Sequence, residues 1–304
     1  MDLDQLVIFV RVASLKSFTR AAESLYLSQP TISARIKALE NELDTILFDR
    51  SRPRDLSLTE QGLLFWDYAQ QIINTYNHSL EKLKSKKKSA EEFLCIGSSS
   101  VPGIYILPSL IADFKHRFRR ARLRVSIKDS ANVIAGITNY IFDVGMVGYR
   151  EDDARLEYIK IYDDELILIT AAGFLSSKYP PGTALPLTVC LDLDFILREP
   201  GSATRSVLER SLNAKGYNVN DFSSLIYFDN LEGIKQAVRH GLGVSIVSKR
   251  SAEDFLASGL VDSYTIAELD LKRNFYAVYH RRRVLNRVAR DFIAMVKESI
   301  SHYQ

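Results

Sequence analysis

Cysteine, histidine and long apolar runs are all scarce in this chain, and each shortage closes off a class of function. Two cysteines, Cys95 and Cys190, each stand inside an apolar stretch. They are too few for a disulfide framework, and are expected as buried small hydrophobes in a reducing compartment. The five histidines, His78, His116, His240, His280 and His302, are scattered. No metal-ligand spacing emerges, so neither a metal nor another cofactor is expected. No apolar run is long enough to span a bilayer. The N-terminal Met-Asp-Leu-Asp-Gln lacks the basic start and apolar core of a signal peptide. A cytoplasmic protein free of the membrane is the expectation. Charge of one sign is lacking too: 40 Lys and Arg oppose 37 Asp and Glu, a net +3, so any nucleic-acid surface must be local.

Catalytic patterns are equally thin. Gly97-Ser98-Ser99-Ser100 lacks the second glycine of a nucleophile elbow. Gly241-Leu242-Gly243 follows a helical pattern where a dinucleotide fingerprint would open one. No catalytic residue is assigned, and the chain is expected not to be an enzyme. Arg281-Arg282-Arg283 is expected at the surface with no role beyond solubility.

At 304 residues, 46% hydrophobic, the chain suits two or three cores. Leu3, Leu6, Val7, Phe9, Val10 and Ala13 mark the stripe of a first helix. Ser17 is placed to cap a short helix, Phe18 to Leu25, with small Ala21 and Ala22 suited to a close helix crossing. Tyr26-Leu27 makes a tight connection, and Ser28 caps a third helix with Pro30 in its first turn. Ile32, Ile36, Leu39 and Leu43 share one face of it, leaving Pro30, Ser33, Ala34, Lys37 and Asn41 on the other. Such a helix can enter a major groove, although periodicity alone would equally suit a small helical bundle. Leu47 to Arg50 and Leu56 to Leu58 read as two strands around Arg52-Pro53-Arg54, a basic tip useful beside phosphates.

These residues carry a family resemblance. Ser17-Phe18-Thr19-Arg20-Ala21-Ala22-Glu23-Ser24-Leu25, Ser28-Gln29-Pro30-Thr31-Ile32-Ser33 and Ile36-Lys37-Ala38-Leu39-Glu40 resemble the helix-turn-helix signature of LysR-type transcriptional regulators. Leu47-Phe48-Asp49-Arg50 and Leu58-Thr59-Glu60-Gln61-Gly62 continue it. The resemblance implies that Gln29, Pro30, Ser33 and Arg35 reach base edges or nearby phosphates, with Ser28, Thr31 and Lys37 beside them, and that Arg50, Arg52 and Arg54 form a wing. Two positions depart from it: Asp44 replaces a frequent glycine, and Ala34 a frequent arginine.

Thr59 can cap a long helix on which Phe65, Ala69, Ile72, Tyr76, Leu80 and Leu83 fall at steps of four and three, a coiled-coil-like seam. The resemblance implies that this linker helix dimerises the chain, with tetramers common in the family. Ser85-Lys86-Lys87-Lys88-Ser89 ends the helix as a solvated hinge.

Beyond it, strands and helices alternate in an α/β pattern. Phe93 to Gly97, Leu123 to Lys128 and Asp143 to Gly148 read as strands, with helices Ile104 to Phe118 and Val133 to Tyr140 between them. A second unit, starting near Ala171, holds strands Asp194 to Arg198, Leu225 to Phe228 and Gly243 to Ser248. Its helices are Ala203 to Lys215 and Leu231 to His240; strand Phe275 to His280 and helix Leu285 to Ile300 then return to the first. Three segments stand where ligands of such folds bind, at strand ends before helices: Ser98-Ser99-Ser100 with Val101, Ser202 and Thr204 after Gly201, and Asn230. The family resemblance adds Gly148 and points again to Ser99, Ser100 and Thr204 as pocket residues. The expected ligand is a carboxylate or other oxyanion.

The expected architecture is therefore an N-terminal, mostly α winged helix-turn-helix over 1–58 and a linker helix over 59–89. An α/β two-lobed, periplasmic-binding-protein-like effector domain over 90–304 completes it, with lobe I about 90–168 and 268–304 and lobe II about 169–267. The expected function is sequence-specific transcriptional regulation of an operator under control of a small effector, with RNA polymerase as a further partner. The rival is a solute-binding component of a transport system, which would share the lobes but have no use for residues 2–58.

Overall fold

Asp2 starts the first helix, α1 (Leu3–Leu15): its carboxylate accepts the Gln5 N–H while the Gln5 side chain accepts the Asp2 N–H. The structure, a computed structural model, describes residues 1–49, 56–84 and 93–300, and the chain divides into two compact units, Met1–Glu91 and Glu92–Gln304. Leu6, Ile8, Phe9 and Val12 of α1 are buried, whereas Val7, Val10 and Ala13 are half-buried. The helix touches three other helices, so its buried arc is wider than one stripe.

Ser17 accepts the Arg20 N–H to begin α2 (Phe18–Leu25), and Ser28 accepts the Thr31 N–H to begin α3 (Gln29–Glu42), whose first turn holds Pro30. Ala21 and Ala22 are buried where α2 meets α3, as their size anticipates. Both helices end on non-glycine left-handed residues, Tyr26 (φ 55°) and Asp44 (φ 47°). In each case the following N–H reaches back to an open carbonyl, Leu27 to Ala22 at 3.0 Å and Thr45 to Glu40 at 3.0 Å. Asp44 thus performs the helix stop without glycine, at a conformational cost of roughly 1 kcal/mol.

The Glu40 carboxylate accepts the N–H groups of Leu47 (2.9 Å) and Phe48 (3.2 Å), anchoring β1 (Phe48–Asp49) against α3. β1 pairs antiparallel with β2 (Ser57–Leu58). Arg50, Arg52 and Arg54 lie outside the described residues, as do Lys86, Lys87 and Lys88. Thr59 accepts the Gly62 N–H and starts α4 (Glu60–Lys84). A Cβ at Gly62 would stand 2.0 Å from the Leu47 carbonyl oxygen, so the motif's glycine is required by close approach.

The seam expected on α4 needs correcting. Ala69 is fully buried in its own unit and so not free for a second copy, while Phe65, tilted against Phe9 at 5.1 Å between centroids, is half-buried there and only partly available. The exposed apolar stripe is instead Leu64, Tyr68, Ile72 and Tyr76, each about half exposed. Leu80 is half-buried, and the side chain of Leu83 lies outside the description.

The second unit is two lobes on one continuous sheet. In lobe I, β3 (Phe93–Ser98) pairs in parallel with β4 (Arg122–Ile127) and β5 (Val144–Val147). Helices α5 (Ser100–Tyr105), α6 (Leu107–Arg117) and α7 (Ser130–Thr138) connect them. The single helix expected over Ile104 to Phe118 is in fact two: it starts earlier and breaks at Ile106, because Pro108 lacks an N–H and crowds the carbonyl four residues back.

The 16-residue β6 (Leu156–Ala171), unforeseen in sequence, runs through both lobes. Its first part, Leu156 to Glu165, pairs with β12 (Lys272–His280), which also borders β5. Leu166 to Ala171 instead pairs with β10 (Val244–Ser248) and β11 (Val261–Ile266). Lobe II continues through β8 (Asp194–Arg198) to β9 (Ser224–Phe228), both parallel to β10, with β7 (Ala184–Leu185) beside β11. Helices α8 (Leu187–Leu191), α9 (Ala203–Asn213), α10 (Leu231–Arg239) and α11 (Lys249–Ala257) belong to it, and α12 (Arg287–Ile300) returns to lobe I.

Arg283 is not a mere surface charge. Half-buried, it pairs with Asp143 at 2.6 Å, and Asp143 in turn accepts the Cys95 N–H. No helix among the described residues is long and apolar enough to cross a membrane.

Candidate functional site

Burial of Ile32, Ile36 and Leu39 against α1 and α2 leaves the far side of α3 to solvent. Ser28, Gln29, Pro30, Thr31 and Lys37 are exposed there, and Ser33 is half-buried. The Gln29 amide donates to Ser33 Oγ at 3.0 Å, and the Ser28 and Thr31 hydroxyls meet at 2.8 Å. Arg35 sits on the opposite flank, where its guanidinium approaches Asp4 of α1 at 3.8 Å. It therefore stands apart from the Gln29–Ser33 pair.

A second polar locus lies between the lobes, where the ends of several elements converge. Ser99, Ser100 and Val101 open α5; Ser202 and Thr204 open α9; Asp129 caps α7 by accepting the Asn132 N–H at 2.9 Å. The cavity they frame holds about 260 Å³, counting space open to solvent. Ser202 makes no side-chain cap on α9, so the first-turn N–H groups of that helix are not claimed by it. The lobes already touch here. A Cβ on Gly148 of lobe I would stand 2.8 Å from that of Ala203 in lobe II, and the Ala131 N–H reaches the Gly201 carbonyl at 3.3 Å.

Two buried arginines that the sequence reading missed complete the wall. Arg198, the last residue of β8, is forked onto Glu199 with two contacts of 2.7 Å and also reaches the Ser100 hydroxyl at 3.5 Å. Arg273, at the start of β12, donates from Nε to Asp164 at 2.7 Å and from Nη1 to Thr204 Oγ1 at 3.0 Å. Ser248 holds the other oxygen of Asp164 at 2.6 Å. Burial pushes the Arg273 pKa down and Asp164 opposes that shift; a guanidinium is so basic that it stays charged at neutral pH. Its Nη2 is buried with no hydrogen-bond partner, which is costly unless a ligand supplies one.

Of the expected pocket residues, Ser99, Ser100, Val101, Ser202 and Thr204 line this cavity. Gly148 sits at the lobe contact. Two do not belong. Ser98 is fully buried, with its hydroxyl turned to the Ser99 carbonyl. Asn230 is an ordinary cap of α10, accepting the N–H groups of Glu232 and Gly233. A strand-end position flagged Arg198 in principle. Arg273 carried no such signal, because the register that sets it opposite Asp164 is a tertiary fact.

Among the described residues no group of His, Cys, Asp and Glu could hold a metal ion. Burial raises the Cys190 thiol to about 12, so it stays protonated.

Two family models match the chain: the bacterial regulatory helix-turn-helix protein, lysR family, over residues 3–63, and the LysR substrate binding domain over residues 88–301. An uncharacterized HTH-type transcriptional regulator of Methanocaldococcus jannaschii is 33% identical over 275 residues, covering 90% of this chain and 91% of the relative. Full-length CbnR complexed with its target DNA has a TM-score of 0.56 at 19% identity, over 98% of this chain and 100% of that one. The regulatory domain of Synechocystis CcmR in complex with 2-PG has a TM-score of 0.59 at 21% identity, over 68% of this chain and 97% of that one. The helix-turn-helix match overturns the rival reading as a transport component. The chain belongs to the LysR family and is a transcriptional regulator built from a helix-turn-helix domain and an effector-binding domain.

Proposed function

We propose that this regulator reads its operator with the exposed face of α3 and responds to a small ligand carrying one oxyanion group, bound between the lobes. The observation that carries the ligand class is the buried, unpartnered Nη2 of Arg273, a residue that lines the cavity together with Ser99, Ser100 and Ser202. One uncommitted guanidinium nitrogen, with its two N–H groups, suits one oxyanion. The rest of the local charge is already balanced, Arg198 by Glu199 and Arg273 by Asp164, while Asp129 at the rim disfavours a ligand of high negative charge. The DNA complex of CbnR and the presence of a small ligand on the CcmR regulatory domain are compatible with this division of labour.

On α3, Gln29 and Ser33 read base edges, with Ser28, Thr31 and Lys37 beside them and Arg35 on the flanking backbone; Arg50, Arg52 and Arg54 hold phosphates. Leu64, Tyr68, Ile72 and Tyr76 join two copies, so that paired α3 helices meet two half-sites. The protein acts in the cytoplasm and catalyses no reaction. Ligand binding shifts lobe closure and, through the dimer, the spacing of the DNA heads.

The test is thermal unfolding of the full chain with acetate, sulfate or benzoate. Occupancy at a hundredfold excess over Kd stabilises by about 2.7 kcal/mol. At least one of these anions raises the wild-type Tm, and Arg273→Lys, which keeps the charge beside Asp164 but removes Nη2, abolishes the rise. An unchanged rise in Arg273→Lys, or no response to any of the three, defeats the oxyanion assignment.

A further inference from the structure

We infer that the sensor carries a nucleic-acid surface of its own, a basic edge of lobe I that holds the phosphate backbone of duplex beside the operator without reading its sequence. The edge runs from the last turn of α6 through the turn into β4. Its ten residues, Lys115 to Arg124, include six Lys and Arg and no acid, twice the net +3 of the whole chain. His116, Arg117, Arg119, Arg120, Arg122 and Arg124 are all exposed.

Ordinary causes account for only part of this charge. Cations in the last turn of a helix meet its negative end, which explains Lys115, His116 and Arg117. Arg117 is also paired, with Glu298 of α12 at 2.8 Å. A cation on an edge strand discourages pairing between copies, and β4 is the outermost described strand of lobe I. Neither reason calls for Arg119, Arg120 and Arg124 together, and these three make no ion pair among the described residues.

The turn that presents them is held in shape. Lys115 Nζ spans it, donating to the Arg119 carbonyl at 2.9 Å and to the Ala121 carbonyl at 2.7 Å. The Phe118 N–H reaches back to Phe114 and the Ala121 N–H to Phe118, whose ring lies 4.7 Å from that of Phe114. On β4, alternation sets Arg122 and Arg124 on one face. There their guanidiniums lie over the Phe93 ring, at 5.6 and 5.8 Å from its centroid. A guanidinium resting on a ring keeps its in-plane N–H groups outward, in the fork that matches phosphate.

This composition selects a polyanion over a folded protein. Protein interfaces concentrate their energy in an aromatic or other large anchor that enters a pocket. Here Phe93, the ring on the arginine face, is already covered by two cations. Backbone phosphates need no anchor, only positive charge that releases their counterions. The helix-turn-helix head supplies the partner. The basic edge is joined to it by α4 and the eight residues between Lys84 and Phe93, so once the head is bound, neighbouring duplex is present at an effective concentration on the order of millimolar. Phosphate contacts too weak to act alone are filled at that concentration.

The test compares the full-length wild type with Arg119→Gln/Arg120→Gln/Arg124→Gln in anisotropy titrations on a long duplex of mixed sequence, over a range of salt. The triple variant is expected to bind about tenfold or more weakly, with a salt slope shallower by about one for each arginine. Lys178→Gln/Lys215→Gln/Arg239→Gln removes the same charge from exposed positions of lobe II and leaves affinity and slope unchanged. In the wild type, bound duplex protects Arg119, Arg120 and Arg124 from phenylglyoxal, and poly-glutamate does not. Sedimentation finds both variants assembled as the wild type is. The inference is overturned by an unaltered slope, by an equal loss in the lobe II variant, or by arginines that duplex leaves reactive. Loss of self-association in the first variant also overturns it, making the edge a contact between copies, and equal protection by poly-glutamate makes it a site for an acidic protein.

Discussion

On α3 the groups offered to a ligand are exposed and barely committed: the Gln29 amide donates to Ser33, and Lys37 stands in solvent. In the interlobe cleft the corresponding groups are buried, and nearly every polar atom is already spent on a neighbour. The first surface is left over when a small core closes, so side chains there can change without disturbing the fold. The second is part of the core, and its ligand supplies a partner the protein withholds. Tolerance to substitution should therefore differ sharply between them, and the following variants probe that contrast.

The largest effect is expected where α3 faces inward. Ile36→Asp places an unpaired charge among fully buried side chains and should cost roughly 4–5 kcal/mol or more, unfolding the helix-turn-helix unit. The anion response should survive it; calorimetry showing loss of both together would contradict the independence of the two units. Next comes Asp164→Ala, which strands the Arg273 guanidinium and should cost about 3–5 kcal/mol in chemical denaturation. A loss below about 1 kcal/mol would mean that water, not the protein, compensates Arg273. Gly148→Ala drives a methyl group toward Ala203 and should cost about 1–3 kcal/mol while loosening the lobes. Faster amide exchange in the first turn of α9 reports that loosening, and unaltered exchange would mean that the contact relaxes locally.

Smaller effects belong to α3. Gln29→Ala should reduce operator affinity by about 1–2 kcal/mol and leave binding to unrelated duplex DNA intact. Equal loss on both DNAs in a mobility-shift titration would turn Gln29 into a backbone contact. The smallest change is a gain: Asp44→Gly relieves the left-handed strain after α3 and should add about 0.5–1 kcal/mol to stability without altering operator choice. A lower Tm would show that the aspartate contributes more than its conformation costs.

The same contrast governs how far the chain can be read from sequence. Ser17, Ser28 and Thr59 cap their helices as their positions foretell, because a cap is a contact over three residues. The strands of both lobes announce themselves by their apolar runs, apart from β6, β7 and β11. β6 escaped because Lys160, Asp163, Asp164 and Glu165 interrupt its apolar pattern just where it changes partners. Ala69 was misassigned, and Phe65 is shared with its own core, because periodicity detects an apolar stripe but not which neighbour covers it. Arg273, buried and decisive, was invisible since the pairing of β12 with β6 sets it opposite Asp164 and the placement of α9 brings Thr204 to it.

The touching of Gly148 and Ala203 has a kinetic corollary. With the lobes in contact and the Ala131 N–H on the Gly201 carbonyl, a solute too large for the remaining opening enters only during an opening fluctuation. The observed uptake rate should then climb with solute concentration only until it equals the opening frequency, and level off there. A regulator gated in this way filters brief pulses of its signal and answers only to concentrations that persist longer than the latch takes to lift.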